Sequence, residues 1–386
     1  MKKGIIYLSL MVMVLGIAAF QCSSPELTGA KLYINQKQYD KAKEALLAEV
    51  EKNPASDEGW FLLGSLYGDE GEIEKMLESF DKSLAISTKF RAEITEARKY
   101  YWATSFNKGV SIFNNASNAT SPDSAKILYD KAIREFNNSI LCEPDSAIGY
   151  SNVVFALINS NRAEEAVAPL KKLIDMGIAP EAYAILGQIY TNKAGSLMST
   201  YKSSQLQSDS LSAMQEYRNA IEILEQGRAK FPADSDILLQ LSNAYIGANK
   251  LDVALTAFRD GVIQEPDNKY YRYNYGVLLL NSGDFTEAES QFKEAVNIDP
   301  DYINAIYNLA VTYVRWGTEM REEMEEKGEV NDSFKEKFSL AIPYLERYLE
   351  TNPNESAIWD LLGRVYANLG MEEKSIDAFK KADETK

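Results

Sequence analysis

The feature that most constrains this sequence is an internal repeat with a period of 34 residues. Apolar and small residues occupy the same slots in the segment that begins at Lys269 and in the segment before it. A unit of this length cannot bury its apolar face alone, so neighbouring units must stack around a shared core. The matching slots are Tyr275, Leu279, Ala288, Phe292 and Pro300 in one segment, and Leu241, Tyr245, Ala254, Phe258 and Pro266 in the other.

Within each unit, the spacing of apolar residues predicts two amphipathic helices, A and B, that lie antiparallel. Small residues at the crossing point let the two backbones approach closely. Helix A carries Gly64, Gly187, Gly276 and Gly363 at this point, and helix B carries Ala42, Ala166, Ala220, Ala254 and Ala288.

Six of the eleven prolines fall at the end of a unit, where the missing N–H and the ring are expected to stop helix B. An Asp, Asn or Ser follows, as in Pro266-Asp267-Asn268 and Pro353-Asn354-Glu355-Ser356. We expect these side chains to cap the next helix A by accepting hydrogen bonds from its first N–H groups. The six prolines are Pro54, Pro144, Pro232, Pro266, Pro300 and Pro353.

This pattern resembles the tetratricopeptide repeat, whose signature is W-x-x-L-G-x-x-Y, then A-x-x-x-F, then P. The clearest copies are Trp60, Leu63, Gly64, Tyr67 and Phe80, and Trp359, Leu362, Gly363, Tyr366 and Phe379. The resemblance implies an all-α fold, a right-handed superhelical solenoid of antiparallel helix pairs with about nine repeats over residues 23–386. The expected repeats are 23–56, 57–90, 91–146, 147–179, 180–234, 235–268, 269–302, 303–355 and 356–386.

Three of these repeats are too long for the period. The repeats 91–146, 180–234 and 303–355 exceed 34 residues by 22, 21 and 19, in each case between helix A and helix B. An insertion of this size lets both helices extend by two or three turns. We therefore expect three elongated helical hairpins with polar, solvated tips.

The amino terminus predicts export. Lys2 and Lys3 precede an uncharged run from Ile5 to Phe20, the pattern of a secretory signal peptide over residues 1–21. Because Cys22 follows at once, the segment resembles a bacterial lipoprotein signal, which implies cleavage before Cys22 and a lipid on its thiol. The chain would then be anchored to the bacterial envelope, and Ser23 after the cysteine resembles lipoproteins of the outer rather than the inner membrane.

The residues before Cys22 leave an alternative open. The lipoprotein pattern favours an aliphatic residue three places before the cysteine and a small residue just before it, and these places hold Ala19 and Gln21. Ordinary cleavage after residues 16–18 would instead leave Cys22 as a free thiol on a soluble periplasmic or secreted chain.

Composition excludes several classes of function. The absence of histidine excludes histidine-based catalytic triads, histidine-bridged zinc sites and imidazole pH switches. A formal charge of −16 repels the phosphates of nucleic acid. The two cysteines are too few for a disulfide framework or a thiolate metal cluster. We therefore expect no enzyme, no cofactor and no metal, and Cys142 is interpreted as a buried apolar residue.

The tetratricopeptide resemblance implies a concave groove lined by helix A, in which family members often bind an extended peptide through an asparagine at place 6 or 9 of the unit. The alternative interpretation is that this asparagine belongs to the repeat consensus, and that the nearby tyrosines pack against a neighbouring helix. The candidate ligand-binding residues are Asn152, Tyr270, Tyr273, Asn274, Asn281, Tyr307, Asn308 and Arg315.

Two functions remain in competition. An exported repeat array without catalytic chemistry favours a protein–protein interaction scaffold or adaptor of the bacterial cell envelope, whose partners are other envelope proteins or peptide segments. The alternative is a glycan-binding outer-membrane lipoprotein for nutrient uptake, whose tyrosines would stack on sugar rings.

Overall fold

The computed structural model describes residues 24–328 and 331–385. The predicted signal peptide and Cys22 lie outside the described residues. Within them the chain forms eighteen α-helices, one 3-10 helix and no strand, which confirms the all-α fold. In chain order the α-helices are Pro25–Asn35 (α1), Tyr39–Lys52 (α2), Asp57–Asp69 (α3), Ile73–Ile86 (α4), Arg91–Ser117 (α5), Pro122–Cys142 (α6), Ala147–Asn159 (α7), Val167–Met176 (α8), Pro180–Ser204 (α9), Gln207–Lys230 (α10), Ser235–Gly247 (α11), Leu251–Gln264 (α12), Lys269–Ser282 (α13), Phe285–Ile298 (α14), Ile303–Lys327 (α15), Phe334–Thr351 (α16), Ser356–Asn368 (α17) and Glu372–Glu384 (α18).

Eight pairs of consecutive helices pack together, and two compact units divide the chain between Pro169 and Leu170, a boundary that falls within α8. The first unit holds the pairs α1–α2, α3–α4 and α5–α6, followed by α7 and the 3-10 helix Ala163–Ala166. The second unit holds the five pairs from α9–α10 to α17–α18. Several first helices of consecutive pairs also contact one another, and these contacts join α3 to α5, α5 to α7, α9 to α11, α11 to α13 and α13 to α15.

The small residues lie at the helix crossings, as expected from the repeat. A Cβ atom added at Gly64 would stand 2.6 Å from the Phe80 ring, and one at Gly276 would stand 2.8 Å from the Phe292 ring. Real Cβ atoms do not approach so closely, so only glycine permits this backbone separation. The five alanines of helix B are all fully buried, although Ala166 belongs to the 3-10 helix that begins its B segment.

The prolines end the helices by acting on the residue before them. Each of the six unit-ending prolines comes two residues after the last helical residue. The residue between has φ from −127 to −133° and ψ from 67 to 97° at all six places. A proline ring disfavours the helical conformation in the residue that precedes it, which explains why these ends are alike.

The capping prediction is correct for some helices and wrong for others. Ser56, Asp234 and Asn268 accept hydrogen bonds from the first turns of α3, α11 and α13. Ser146 makes no side-chain cap. Ser356 is also not a cap, because it begins α17 and its hydroxyl donates 2.7 Å to the carbonyl of Ala382.

The three long repeats form elongated hairpins, as predicted. Their helices have 27 and 21 residues in α5–α6, 25 and 24 in α9–α10, and 25 and 18 in α15–α16. By contrast, the helices of the last pair, α17–α18, which has no insertion, have only 13 residues each.

Tyrosine hydroxyls fix the register between consecutive pairs in the second unit. Each donor lies on the first helix of a pair, and each acceptor is a glutamate on the second helix of the pair before it. A hydrogen bond to a carboxylate is stronger than one between neutral groups, so these bonds hold the stacking geometry. The bonds join Tyr245 to Glu225 at 2.8 Å, Tyr313 to Glu289 at 2.7 Å and Tyr366 to Glu346 at 2.7 Å.

Candidate partner-binding faces

One of the asparagines predicted to contact a ligand lies inside the core. Asn274 is only 2% exposed. Its amide donates 2.9 Å to the carbonyl of Tyr270, and its carbonyl oxygen accepts a long hydrogen bond of 3.4 Å from Ser242. Asn274 therefore lies below the surface that a partner would touch.

The tyrosines near Asn274 pack against one another. The ring centroid of Tyr302 lies 5.2 Å from that of Tyr273 and 6.0 Å from that of Tyr270. The Asn308 amide donates 2.9 Å to the Tyr273 hydroxyl. Burial raises the pKa of Tyr273 and of Tyr302, so both phenols are neutral hydrogen-bonding groups at physiological pH. All three rings are half-buried.

The ammonium group of Lys269 lies against this tyrosine cluster. Its nitrogen is 5.1 Å from the ring centroids of both Tyr270 and Tyr302, and it is paired with Asp299. The result is an aromatic surface with one paired cation at its edge, which can stack on a planar or apolar group of a ligand.

The remaining predicted residues are spread over several helices. The Tyr307 ring packs 5.3 Å from Tyr348. Asn281 and Arg315 are exposed, and the Arg315 guanidinium lies 5.9 Å from the Phe285 ring. In the first unit, Asn152 is half-buried.

Several of these asparagines use their amide N–H within their own helix. Asn152 donates 2.8 Å to the carbonyl of Ile148, and Asn281 donates 2.8 Å to that of Val277. This bond to the residue four places earlier is common for polar side chains inside helices. It leaves the carbonyl oxygen of each side chain as the group that can accept from a partner.

An exposed apolar face on α7 was not predicted. Ile148, Phe155 and Ile158 are 50%, 46% and 38% exposed, and their spacing of seven and three residues places them on one side of the helix. The opposite side of α7 is buried through Val153, Val154, Ala156 and Leu157.

The sequence does contain a signal for this face. No charged residue occurs from Ser146 to Asn161, and the polar side chains of α7 are few. A surface helix of a soluble chain usually keeps a broad polar face, so a helix with so few polar groups leaves apolar groups in need of a partner.

The described residues do not present metal or thiol chemistry. Among them no group of three or more Cys, Asp or Glu side chains is placed to hold a metal ion. Cys142 is fully buried, and its burial raises the pKa of its thiol to about 11, so it is not a nucleophile at physiological pH. In the part of the chain that the structure describes, none of the helices combines the length and the apolar character needed to span a bilayer.

Comparison with known families identifies the repeat. Family profiles described as "Tetratricopeptide repeat" match residues 57–90, 239–303 and 356–386. The chain therefore contains tetratricopeptide repeats. Repeats of this class in general mediate protein–protein interaction, and their scaffold is typically non-enzymatic.

Particular relatives are distant. The BBSome complex member BBS4 homolog of Drosophila melanogaster is 19% identical over 333 residues, which cover 86% of this chain and 58% of that protein, less than two thirds of its length. The TPR repeat-containing protein YpiA of Bacillus subtilis is 22% identical over 345 residues, covering 86% of this chain and 71% of YpiA.

Solved structures of similar proteins include MamA from Desulfovibrio magneticus, with a TM-score of 0.35, 16% identity, and coverage of 52% of this chain and 94% of MamA. They also include YrrB, described as a TPR protein with an unusual peptide-binding site, with a TM-score of 0.32, 22% identity, and coverage of 56% of this chain and 92% of YrrB.

Proposed function

We propose that this chain is a non-enzymatic scaffold of the bacterial cell envelope that holds segments of partner proteins on the faces of its first helices. The observation that carries the proposal is the exposed face of α7 formed by Ile148, Phe155 and Ile158. Three large apolar side chains on one helix face offer the kind of contact around which protein interfaces are built. Asn152 and Asn159 flank them and can accept hydrogen bonds from a bound backbone.

Site-specific cross-linking in the native cells tests this function. A photo-reactive amino acid replaces Phe155 in one variant and Tyr100, which is 62% exposed elsewhere on the first unit, in the other. We expect covalent adducts with a discrete envelope protein from position 155 and none from position 100. Adducts from both positions alike, or from neither, contradict the proposal.

The substitutions Ile148→Ser and Phe155→Ser, made together, should abolish the adducts formed by a photo-reactive group at Ile158. Both side chains are already half in solvent, so the fold should survive, and circular dichroism checks this. The matched control is Ile127→Ser, which removes an equally exposed isoleucine from α6 and should leave the adducts intact.

The envelope location is proposed from the amino-terminal sequence. Lys2, Lys3, the apolar run and Cys22 support export and attachment through a lipid on Cys22, with the outer membrane as the expected destination. Metabolic labelling with an alkyne fatty acid should mark the chain, and Cys22→Ser should remove the label and release the chain from the membrane fraction. An unlabelled wild-type chain that fractionates as a soluble protein would reject this part of the proposal.

A second candidate is glycan binding for nutrient uptake, favoured by the cluster of Tyr270, Tyr273 and Tyr302 beside Lys269. Aromatic rings with a polar edge stack on the apolar faces of sugars. A glycan array should then give hits that Tyr270→Ala removes, and an array without hits removes this candidate.

A further inference from the structure

The hairpin of α9 and α10 differs from the other two long hairpins in how its tip is packed. From Gly195 to Ser212 no residue is buried, so the packed part of this hairpin ends at Ala194 and Ala213. The other two tips close over buried residues of their own. These are Ala116 and Tyr129 in α5–α6, and Met324 and Phe338 in α15–α16.

The α9–α10 tip nevertheless carries several large apolar side chains. Leu206, Leu211 and Met214 are 59%, 63% and 36% exposed, while Leu197, Met198 and Tyr201 are half-buried. A single exposed leucine is ordinary in a soluble protein, whereas a group of them on one small projection marks a surface that something covers.

Charge indicates what covers this tip. Between residues 195 and 214 the charged side chains are Lys202 and Asp209, which cancel, in a chain of formal charge −16. The other polar residues of the segment are seven serines, one threonine and the two glutamines Gln205 and Gln207. The tip therefore offers no net charge for a protein partner to complement, and an uncharged surface would have to desolvate only one cation and one anion.

The α15–α16 hairpin shows the contrast within the same chain. Its tip segment carries Glu322, Glu323, Glu325 and Glu326, which keep it in water. The α9–α10 tip instead combines exposed leucines with Tyr201 and Lys202, residue types that are favoured at the boundary between lipid headgroups and acyl chains.

We propose that the tip of the α9–α10 hairpin inserts Leu206 and Leu211 into the interfacial layer of a neutral lipid bilayer. The serine and glutamine side chains around them would donate hydrogen bonds to the phosphate and ester oxygens of the lipids, while the leucines reach the start of the acyl region. This binding needs no anionic lipid. The proposal is independent of the partner-binding face on α7, which lies in the first unit.

A fluorescent probe on the tip provides a local test. The full chain carries Cys22→Ser, which leaves Cys142, fully buried, as its one remaining native cysteine. Ser208→Cys then places a polarity-sensitive nitrobenzoxadiazole label between the two leucines. The matched control is Asn115→Cys, which places the same label at the exposed tip of the α5–α6 hairpin.

With vesicles of phosphatidylcholine alone, we expect the label at position 208 to shift to shorter wavelength, to brighten several-fold and to be quenched by doxyl-labelled lipid. The label at position 115 should not respond. Adding Leu206→Ser and Leu211→Ser should abolish the response at 208 without changing the circular dichroism of the chain, because both side chains are exposed.

Three outcomes overturn the proposal. They are a label at 208 that stays in water although the vesicles are in excess, an equal response at 115, and a response at 208 that appears only with phosphatidylglycerol. The partner-binding function is tested separately, since Leu206→Ser and Leu211→Ser should leave the cross-links at position 155 unchanged.

Discussion

The effect of a single residue in this chain depends on how closely the neighbouring side chains approach its backbone. Gly187 and Gly195 lie on the same helix, α9, yet a Cβ added at Gly187 would stand 2.4 Å from the buried Leu224, whereas one at Gly195 would meet its nearest neighbour, the Tyr217 hydroxyl, at 4.0 Å. The same substitution should therefore have opposite effects at the two sites.

We expect Gly187→Ala to lower the free energy of unfolding by about 1–3 kcal/mol, because the added methyl group overpacks the crossing of α9 and α10. Gly195→Ala should raise it by about 0.5–1 kcal/mol, because alanine is the better helix former. Urea unfolding followed by circular dichroism measures both. A gain at both positions would show that helix propensity, and not packing, decides the outcome.

The tyrosine hydroxyls that join consecutive pairs can be tested at Tyr313. Two opposing effects act on the pKa of its partner, Glu289. Burial alone would raise the pKa of this carboxyl group, but the hydrogen bonds from Lys293 and Tyr313 lower it below its usual value of 4.5. A carboxyl group whose pKa is lower in the folded than in the unfolded state stabilises the fold at any pH above its unfolded-state pKa. This contribution is lost as the pH falls through the folded-state pKa.

Tyr313→Phe should therefore cost about 1.5–3 kcal/mol at pH 7, where the hydroxyl donates to a charged group, and clearly less once the pH falls below the lowered pKa of Glu289 and the carboxyl group is protonated. Denaturant unfolding at the two pH values makes the comparison. An equal cost at both would mean that the lost hydroxyl acts through packing and not through the carboxylate.

At the scale of the helices, capping side chains stabilise the first turn of some helices, and prolines stop the last turn of others. Asp234 accepts hydrogen bonds of 3.1 and 2.9 Å from the N–H groups of Asp236 and Ile237 at the start of α11. Ser146 occupies the same place before α7 with extended backbone angles, but makes no side-chain cap.

Asp234→Ala should lower stability by about 1 kcal/mol, since two N–H groups lose their acceptor. Ser146→Ala should change it by less than about 0.5 kcal/mol. Thermal unfolding of the two variants gives the ranking, and the reverse order would refute the assignment of Asp234 as the working cap.

Much of the arrangement of the helices could be predicted from the sequence. The period, the small residues at crossings, the prolines and the three insertions are local patterns with a fixed structural meaning, and the helix pairs follow them. Capping could not be predicted as well. Ser356 already lies inside α17, and Ser146 makes no cap although its backbone angles resemble those of the capping residue Ser56.

The candidate site was less predictable for a similar reason. Whether Asn274 faces solvent or the core depends on how closely the neighbouring helix approaches, and here Ser242 comes within hydrogen-bonding distance of it. The face of α7 could have been found from the uncharged stretch around it. The sequence pattern indicated several tyrosines as binding residues, but their rings pack against one another between neighbouring helices.

At the scale of the whole molecule, the lack of histidine shapes the response to pH. The carboxyl groups of Glu26, Glu78, Glu165 and Asp299 have lowered pKa values, chiefly because of hydrogen bonds from lysine or arginine side chains. All of them lose their stabilising contribution only below their ordinary values of 4.5 and 3.8. The buried thiol and the shifted tyrosines titrate far above neutrality.

We therefore expect the free energy of unfolding to be nearly constant from about pH 6 to pH 8 and to fall only below about pH 5. Equilibrium unfolding across this range tests the expectation. A slope between pH 6 and pH 8 would reveal a coupled group with a strongly shifted pKa that the described residues do not contain.

The connections between consecutive helix pairs in the second unit determine how such a chain can change its length. The residues before Pro266 and Pro300 have nearly the same backbone angles, and the segment between them carries its own starting cap, Asn268, and its own ion pair, Lys269 with Asp299. A duplicate of this segment inserted after Asp267 would therefore be joined to its neighbours by connections with the same backbone conformation as the present ones. Gene duplication or protein engineering can in this way lengthen or shorten the array by whole modules, without redesigning any interior surface.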